Sequence, residues 1–175
     1  MSSSFVYSKA YGVSSTGQLT QGNFSGLRDP NDLVYNSGYD GLLQSDRKYM
    51  FKVQGTYFLP YDFSVSASYM AMSGKPIARS ISITDFLDQG AVDVLAEPRG
   101  SNNRLDSWNL LDLRIEKAFR YKERFRLRIA ADIFNLFNEA TMIQTLSTRG
   151  TADGFMQPAR IIPPRRVQLG IRLSF

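Results

Sequence analysis

The feature that most constrains this chain is the alternation of apolar and polar residues over its last eleven positions. Within residues 165–175, the alternate positions from 167 onward are apolar and comprise Val167, Leu169, Ile171, Leu173 and Phe175. The positions between them carry Arg166, Gln168, Gly170, Arg172 and Ser174. A β-strand sends successive side chains to opposite faces, whereas a helix would scatter both sets around its circumference. The segment therefore predicts a strand with one apolar and one polar face.

The same alternation recurs upstream. It runs through residues 48–57, 63–71, 111–119 and 125–133, and a shorter, poorer match covers 5–11. Most of these segments are near the roughly 9–11 residues that a tilted membrane strand requires. One apolar face is interrupted by Lys117, whose long side chain can reach the interface from a strand end. The sequence thus predicts an all-β fold, an antiparallel meander of about six strands that forms part of a large transmembrane β-barrel.

The connections between these segments alternate between tight turns and long polar stretches. The turns fall at 60–62 and 121–123, and the long stretches span roughly 12–46, 74–107 and 138–164. Outer-membrane barrels have short turns on the periplasmic side and long loops on the outside. If the last strand ends at the periplasm, every short turn falls on that side and every long loop on the other.

Aromatic residues flank both short turns, at Tyr57, Phe58, Tyr61, Phe63, Phe119, Tyr121 and Phe125. Rings at strand ends are typical of the aromatic girdle of a membrane barrel. Packing around the turns of a soluble β-sandwich is the alternative interpretation, and the rings alone do not separate the two.

Composition removes several functional classes. The 175 residues include neither cysteine nor histidine, so disulfides, thiol chemistry and the commonest general base are excluded. The net charge of +5 comes from scattered Lys and Arg residues rather than from a basic run, which disfavours a nucleic-acid partner. Glycine-rich phosphate loops are absent, and Asp112 and Glu116 would lie about 13 Å apart along one strand, too far for a paired-carboxylate mechanism. We expect no enzyme activity and no cofactor.

Charged residues on the predicted polar face are the candidate functional positions. They are Asp112, Arg114, Glu116, Arg126, Arg128, Asp132 and Arg172. In a barrel they would face the lumen, where they either guide an ionic solute or contact a plug domain. The alternative, which we weight more heavily, is that they satisfy one another as solvated wall charges.

The long stretches contain two further groups of candidates. Oxygen-rich side chains occur at Asp29, Asn31, Asp32, Asp85 and Asp88, but they match no EF-hand loop and favour turns over calcium binding. Apolar side chains occur at Phe86, Leu87, Val92, Val94 and Leu95, where loop packing is favoured over ligand binding. Residues 81–84 are predicted to extend a strand beyond the membrane.

Several segments together resemble the end of a TonB-dependent receptor barrel, and the nearest resemblance is to the Oar-like, carboxypeptidase-regulatory-domain type. The resemblance covers the chain from about Ser37 onward. Its main segments are Leu111-Asp112-Leu113-Arg114, Phe134-Asn135-Leu136-Phe137-Asn138 and Arg172-Leu173-Ser174-Phe175. They are fairly specific in this order, and each is weak alone.

The resemblance implies a plugged barrel of about 22 strands in the bacterial outer membrane that imports a solute with energy transmitted by TonB. It further implies that residues 1–175 are a C-terminal barrel portion, completed by further strands, a plug and a signal peptide that would precede it. The alternating residues Val167, Leu169, Ile171, Leu173 and Phe175 resemble the signal read by the barrel-assembly machinery. The alternatives are a soluble β-sandwich binding module and a small structural outer-membrane barrel.

Overall fold

A computed structural model describes residues 1–13, 40–43, 45–77, 79–83, 92–97, 100, 103–121 and 125–175. Twelve strands occur in this part of the chain, and no helix does. The strands are β1 (Ser2–Tyr7), β2 (Tyr11–Val13), β3 (Asp40–Leu42), β4 (Tyr49–Leu59), β5 (Phe63–Met72), β6 (Ser80–Ile83), β7 (Val92–Leu95), β8 (Trp108–Tyr121), β9 (Phe125–Phe134), β10 (Met142–Thr145), β11 (Pro158–Ile161) and β12 (Arg166–Ser174).

Six of these strands form one antiparallel sheet in the order β1-β4-β5-β8-β9-β12. Each pairs with its neighbour without a register shift. The sheet is open, because β1 and β12 are its two edges and do not pair with each other. The predicted all-β antiparallel meander of about six strands is therefore confirmed.

The register aligns the alternating residues of all six strands into two faces. We call one the apolar face, and its members include Phe5, Tyr7, Phe51, Val53, Tyr57, Phe63, Val65, Tyr69, Leu111, Leu113, Ile115, Lys117, Phe119, Leu127, Ile129, Ile133, Val167, Leu169, Ile171 and Leu173. We call the other the polar face, and its members include Ser2, Gln54, Thr56, Ser64, Ser66, Ser68, Asp112, Arg114, Glu116, Arg120, Arg126, Arg128, Asp132, Gln168 and Arg172. Directly paired residues share a face, so the two sets remain separate across the whole sheet.

The long stretches are more structured than the sequence predicts. They contain three small hairpins, formed by β2 with β3, β6 with β7, and β10 with β11. The segment predicted as one strand over 5–11 is divided, since β1 ends at Tyr7 and Tyr11 begins β2. Residues 81–84 were predicted to prolong a strand of the sheet, but residues 80–83 form β6 and pair with β7 instead.

The described residues contain little hydrophobic core. Ile77, Ala130 and Ile162 are the buried apolar residues among them, and two of these three lie in the long connections. Soluble domains bury most of their large aliphatic side chains, whereas here those of the apolar face are half-buried or exposed and none is fully buried. Within the described part of the chain, the sheet is thus a single layer, and no other described strand pairs with it or buries its apolar side.

Candidate functional site

Four of the predicted charged residues form a connected ion network on the polar face. The guanidinium of Arg114 lies 3.1 Å from Asp132 on β9 and 3.0 Å from Glu116 on its own strand. Glu116 in turn lies 3.9 Å from Arg128. Register explains the first contact, because Arg114 and Asp132 are directly paired. Each such half-exposed pair contributes only about 0–1 kcal/mol, so the network mainly balances charge.

The remaining three predicted residues lie on the same face but outside that network. Asp112 accepts a hydrogen bond of 2.8 Å from the backbone N–H of Asn135, so it anchors the end of β9. Arg126 is paired in register with Arg120, and Arg172 with Arg128. Neither Arg126 nor Arg172 forms an ion pair with any described residue. The sheet therefore gathers all seven candidates on one face but gives them different roles.

The polar face is concave. An open depression of about 560 Å³ is lined by hydroxyl and amide groups of β4 and β5, including Gln54, Thr56 and Ser66, and by Arg114 and Asp132. The hydroxyls of Thr56 and Ser66 bond to each other at 2.9 Å across the strand pair. A second depression of about 290 Å³ lies closer to the short turns and is lined partly by arginines. The hydrophilic side of the sheet thus holds two open depressions lined by polar and charged side chains.

Strand β12 presents its apolar residues to the surroundings. Leu169 and Ile171 are each 75% exposed, and Val167 and Leu173 are more than half exposed. Phe175 follows the end of the strand and is 93% exposed. On the side away from β9, the backbone of β12 has no strand partner among the described residues. This strand combines an exposed apolar row with an unpaired edge.

Residues 60–62 form a tight turn that β8 holds in place. Tyr61 and Asp62 both adopt left-handed φ values, 64° and 58°. The carboxylate of Asp62 accepts a hydrogen bond of 2.8 Å from Arg120, and its carbonyl accepts one of 3.0 Å from the N–H of Ala118. The ammonium of Lys117 donates to the carbonyl of Tyr61. These three hydrogen bonds from β8 therefore stabilise a backbone conformation that tyrosine rarely adopts.

A buried asparagine organises the opposite end of β9. Asn135 has a φ of 53° and is almost fully buried, and its side-chain amide donates to the carbonyls of Glu139 and Pro163 at 2.8 and 2.7 Å. Its side-chain oxygen accepts a bond of 2.8 Å from the N–H of Glu139. Asn138 also has a positive φ and accepts from the N–H of Arg165 at 2.9 Å. The Asn-Leu-Phe-Asn turn thereby fixes the entry into β12.

A buried ion pair lies at the same end of the sheet, outside the long strands. Asp46 is 1% exposed, pairs with Arg104, and accepts a hydrogen bond of 2.5 Å from the N–H of Ala10. Burial alone would raise the pKa of Asp46, but the Ala10 bond and the Arg104 guanidinium outweigh it and lower the pKa below its usual value. Arg104 also donates to the carbonyl of Gly74 at 3.1 Å. Sequence reasoning missed this junction, since its charged partners lie 58 positions apart.

The other predicted positions lie either outside the residues that the structure describes or in strand β7. Asp29, Asn31, Asp32, Asp85 and Asp88 are outside the described residues, as are Phe86 and Leu87. Val92, Val94 and Leu95 belong to β7. Within the described ranges, no group of three or more acidic residues is arranged to hold a metal ion.

None of the described residues forms a helix that is both long and apolar enough to cross a membrane.

Comparison with protein-family models, curated proteins and solved structures found no match to the chain. The described residues therefore define a structural class from their own geometry: an open, six-stranded antiparallel β-sheet with one exposed apolar face and one concave charged face.

Proposed function

We propose that the chain is the C-terminal part of the barrel of a TonB-dependent receptor in the bacterial outer membrane. It would supply wall strands and extracellular loops to a pathway for solute import. The observation that carries this proposal is the exposed apolar face, which opposes a concave face lined by charges and hydroxyls. Membrane barrels require this arrangement, since alternate residues meet hydrocarbon and a wet interior.

Strand length and charge distribution support the membrane assignment. Strands β4, β5, β9 and β12 have 11, 10, 10 and 9 residues, which fits the roughly 9–11 residues of a membrane strand. Lys117 is the only charged residue on the apolar face of the described sheet, and it lies beside a short turn. A cation at the bilayer midplane would cost about 2–4 kcal/mol, and the cost falls toward the interface.

The two edges of the sheet support a larger assembly. A bacterial membrane barrel needs about 8 strands or more, and an open edge in lipid leaves backbone groups unsatisfied at several kcal/mol each. The free sides of β1 and β12 would therefore pair with further strands of the barrel. The three segments that resemble the receptor family lie in β8 and at the ends of β9 and β12, and their order along the chain is part of the resemblance. The resemblance therefore favours completion of the sheet by the remaining strands of such a receptor.

The resemblance also implies the partners of this barrel. Outer-membrane lipid would cover the apolar face, and a plug domain would occupy the lumen next to Arg114, Arg126, Arg128 and Arg172. TonB would act through the N-terminal part of the receptor, and the barrel-assembly machinery would read the apolar row that ends in Phe175. No catalytic step and no cofactor enters this proposal.

Fractionation of the source bacterium tests the proposal. Antibodies raised against residues 150–160 should detect a protein in the outer-membrane fraction, at a mass well above the 19.8 kDa of this chain. Its migration on a gel should change on heating, as a folded membrane barrel predicts.

The other outcomes are equally informative. A product in the outer membrane at 19.8 kDa would support the small structural barrel instead. A folded monomer in plain buffer, with its apolar residues shielded from solvent, would identify a soluble sandwich and contradict the proposal.

A further inference from the structure

One cation interrupts the apolar face at the level of a short turn. The register places Lys117 beside Phe63 on β5 and Ile129 on β9. Its ammonium lies 4.3 Å from the centre of the Phe63 ring and 5.4 Å from that of Phe119. Tyr61, in the adjoining turn, is 84% exposed. Lys117 therefore lies in an aromatic setting at the rim of the apolar face.

The charge of Lys117 is not neutralised within the described part of the chain. No carboxylate of a described residue lies within ion-pair distance of the Lys117 ammonium. The carboxylate of the adjoining turn, Asp62, is paired with Arg120 instead. One ammonium proton is donated to the carbonyl of Tyr61. An ammonium has three donors, so two remain for an external acceptor. Among the described residues the ammonium thus has no counter-ion, and it keeps hydrogen-bonding capacity for an external acceptor.

We propose that Lys117, Tyr61, Phe63 and Phe119 form a binding site for the phosphate of a phospholipid headgroup in the leaflet at the short turns. This inference rests on the proposed function, because it requires the apolar face to meet lipid. The aromatic side chains would lie against the glycerol and upper acyl region, and the ammonium would contact the phosphate. An anionic headgroup would be preferred over a zwitterionic one, since only the former carries a net negative charge to balance the lysine.

A purely structural role for Lys117 makes a different prediction. If the side chain serves only to hold the carbonyl of Tyr61, a glutamine at this position can still donate a hydrogen bond, and lipid preference should not change. If the phosphate is the ligand, loss of the charge should remove the preference while the fold persists. Lys117→Gln therefore separates the two roles.

The experiment measures headgroup selectivity by electron paramagnetic resonance. The outer-membrane protein that contains this chain is purified and reconstituted in phosphatidylcholine vesicles that contain spin-labelled phosphatidylglycerol or spin-labelled phosphatidylcholine. The wild-type protein should favour phosphatidylglycerol by about fivefold, as expected for one lysine near a charged surface. Lys117→Gln should reduce that ratio to near one. Lys48→Gln removes the same charge at the long-loop end and should retain the ratio.

Each outcome has one meaning. Unchanged selectivity in Lys117→Gln, or an equal loss in Lys48→Gln, would overturn the lipid site while leaving heat-modifiable insertion and the proposed function intact. Loss of the preference when inorganic phosphate is added would show a general anion site rather than a lipid site. Absence from the outer membrane of any protein that contains this chain would overturn the proposed function and, with it, this inference.

Discussion

Placing an arginine on the apolar face of β12 distinguishes a membrane wall from a soluble sheet. Leu169 is 75% exposed near the middle of the strand, and its side chain is directly paired with Ala131. In water, replacing so exposed a leucine should change the free energy of unfolding by no more than about 0.5 kcal/mol. In lipid, Leu169→Arg should cost about 2–4 kcal/mol because the guanidinium meets hydrocarbon. The unfolding equilibrium would then shift by about 30- to 900-fold, since each 1.36 kcal/mol is a factor of ten.

The matched control is Gln168→Arg, one position away on the polar face and paired in register with Asp132. It adds the same cation to the wet side of the same strand and should be neutral within about 0.5 kcal/mol. The assay is urea unfolding of the vesicle-bound outer-membrane protein that contains this chain, followed by the loss of its heat-modifiable migration on a gel. Equal stability of the two variants in lipid would refute the assignment of the apolar face.

Three further predictions concern the end of the sheet opposite the short turns. Asn135→Ala should destabilise the protein by about 2–3 kcal/mol in urea unfolding, because it removes a residue suited to positive φ and leaves buried backbone groups without partners. An unchanged urea midpoint would contradict the role of Asn135 in holding the turn. The lowered pKa of Asp46 means that its stabilisation is complete above its usual value near 3.8 and is lost as the pH falls through the lower folded-state pKa. Acid unfolding curves should show this loss in the wild type but not in Asp46→Asn, and parallel curves would exclude the ion pair as its source. Gly74→Ala should destabilise the protein by at least about 3 kcal/mol in thermal unfolding, because a Cβ there would lie 1.5 Å from the carbonyl oxygen of Leu105. The control is Gly170→Ala, whose Cβ would meet no atom within 4 Å and which should be nearly neutral.

The five long strands of the sheet could be predicted because their information is local. Alternation assigns each side chain to a face within a single strand, and short turns bring consecutive strands together. The predicted segments at 63–71 and 125–133 lie inside β5 and β9. The break after Tyr7 was not predictable in this way, because Ala10 is held by the distant Asp46 rather than by its neighbours.

The polar-face candidates were predicted as a set but not as individual contacts. Period two put Arg114, Glu116 and Asp132 on one face, whereas the inter-strand register decided that Arg114 meets both carboxylates. Asp112 belongs to the same set by alternation, yet its partner is a backbone N–H of the turn after β9. The asparagines of that turn offered a usable signal, since Asn tolerates left-handed backbone and caps local structure.

The sequence by itself determined that the chain forms amphipathic strands, which residues share a side of each strand, and that cysteine and histidine chemistry is excluded. The tertiary structure alone decided the register between strands, the three small hairpins in the long connections, and that Asp46 finds Arg104 across 58 positions. The physical reason is the separation along the sequence of the residues that decide each feature. Side-chain direction follows from the backbone geometry of one strand, whereas register, curvature and buried ion pairs arise only when distant segments meet.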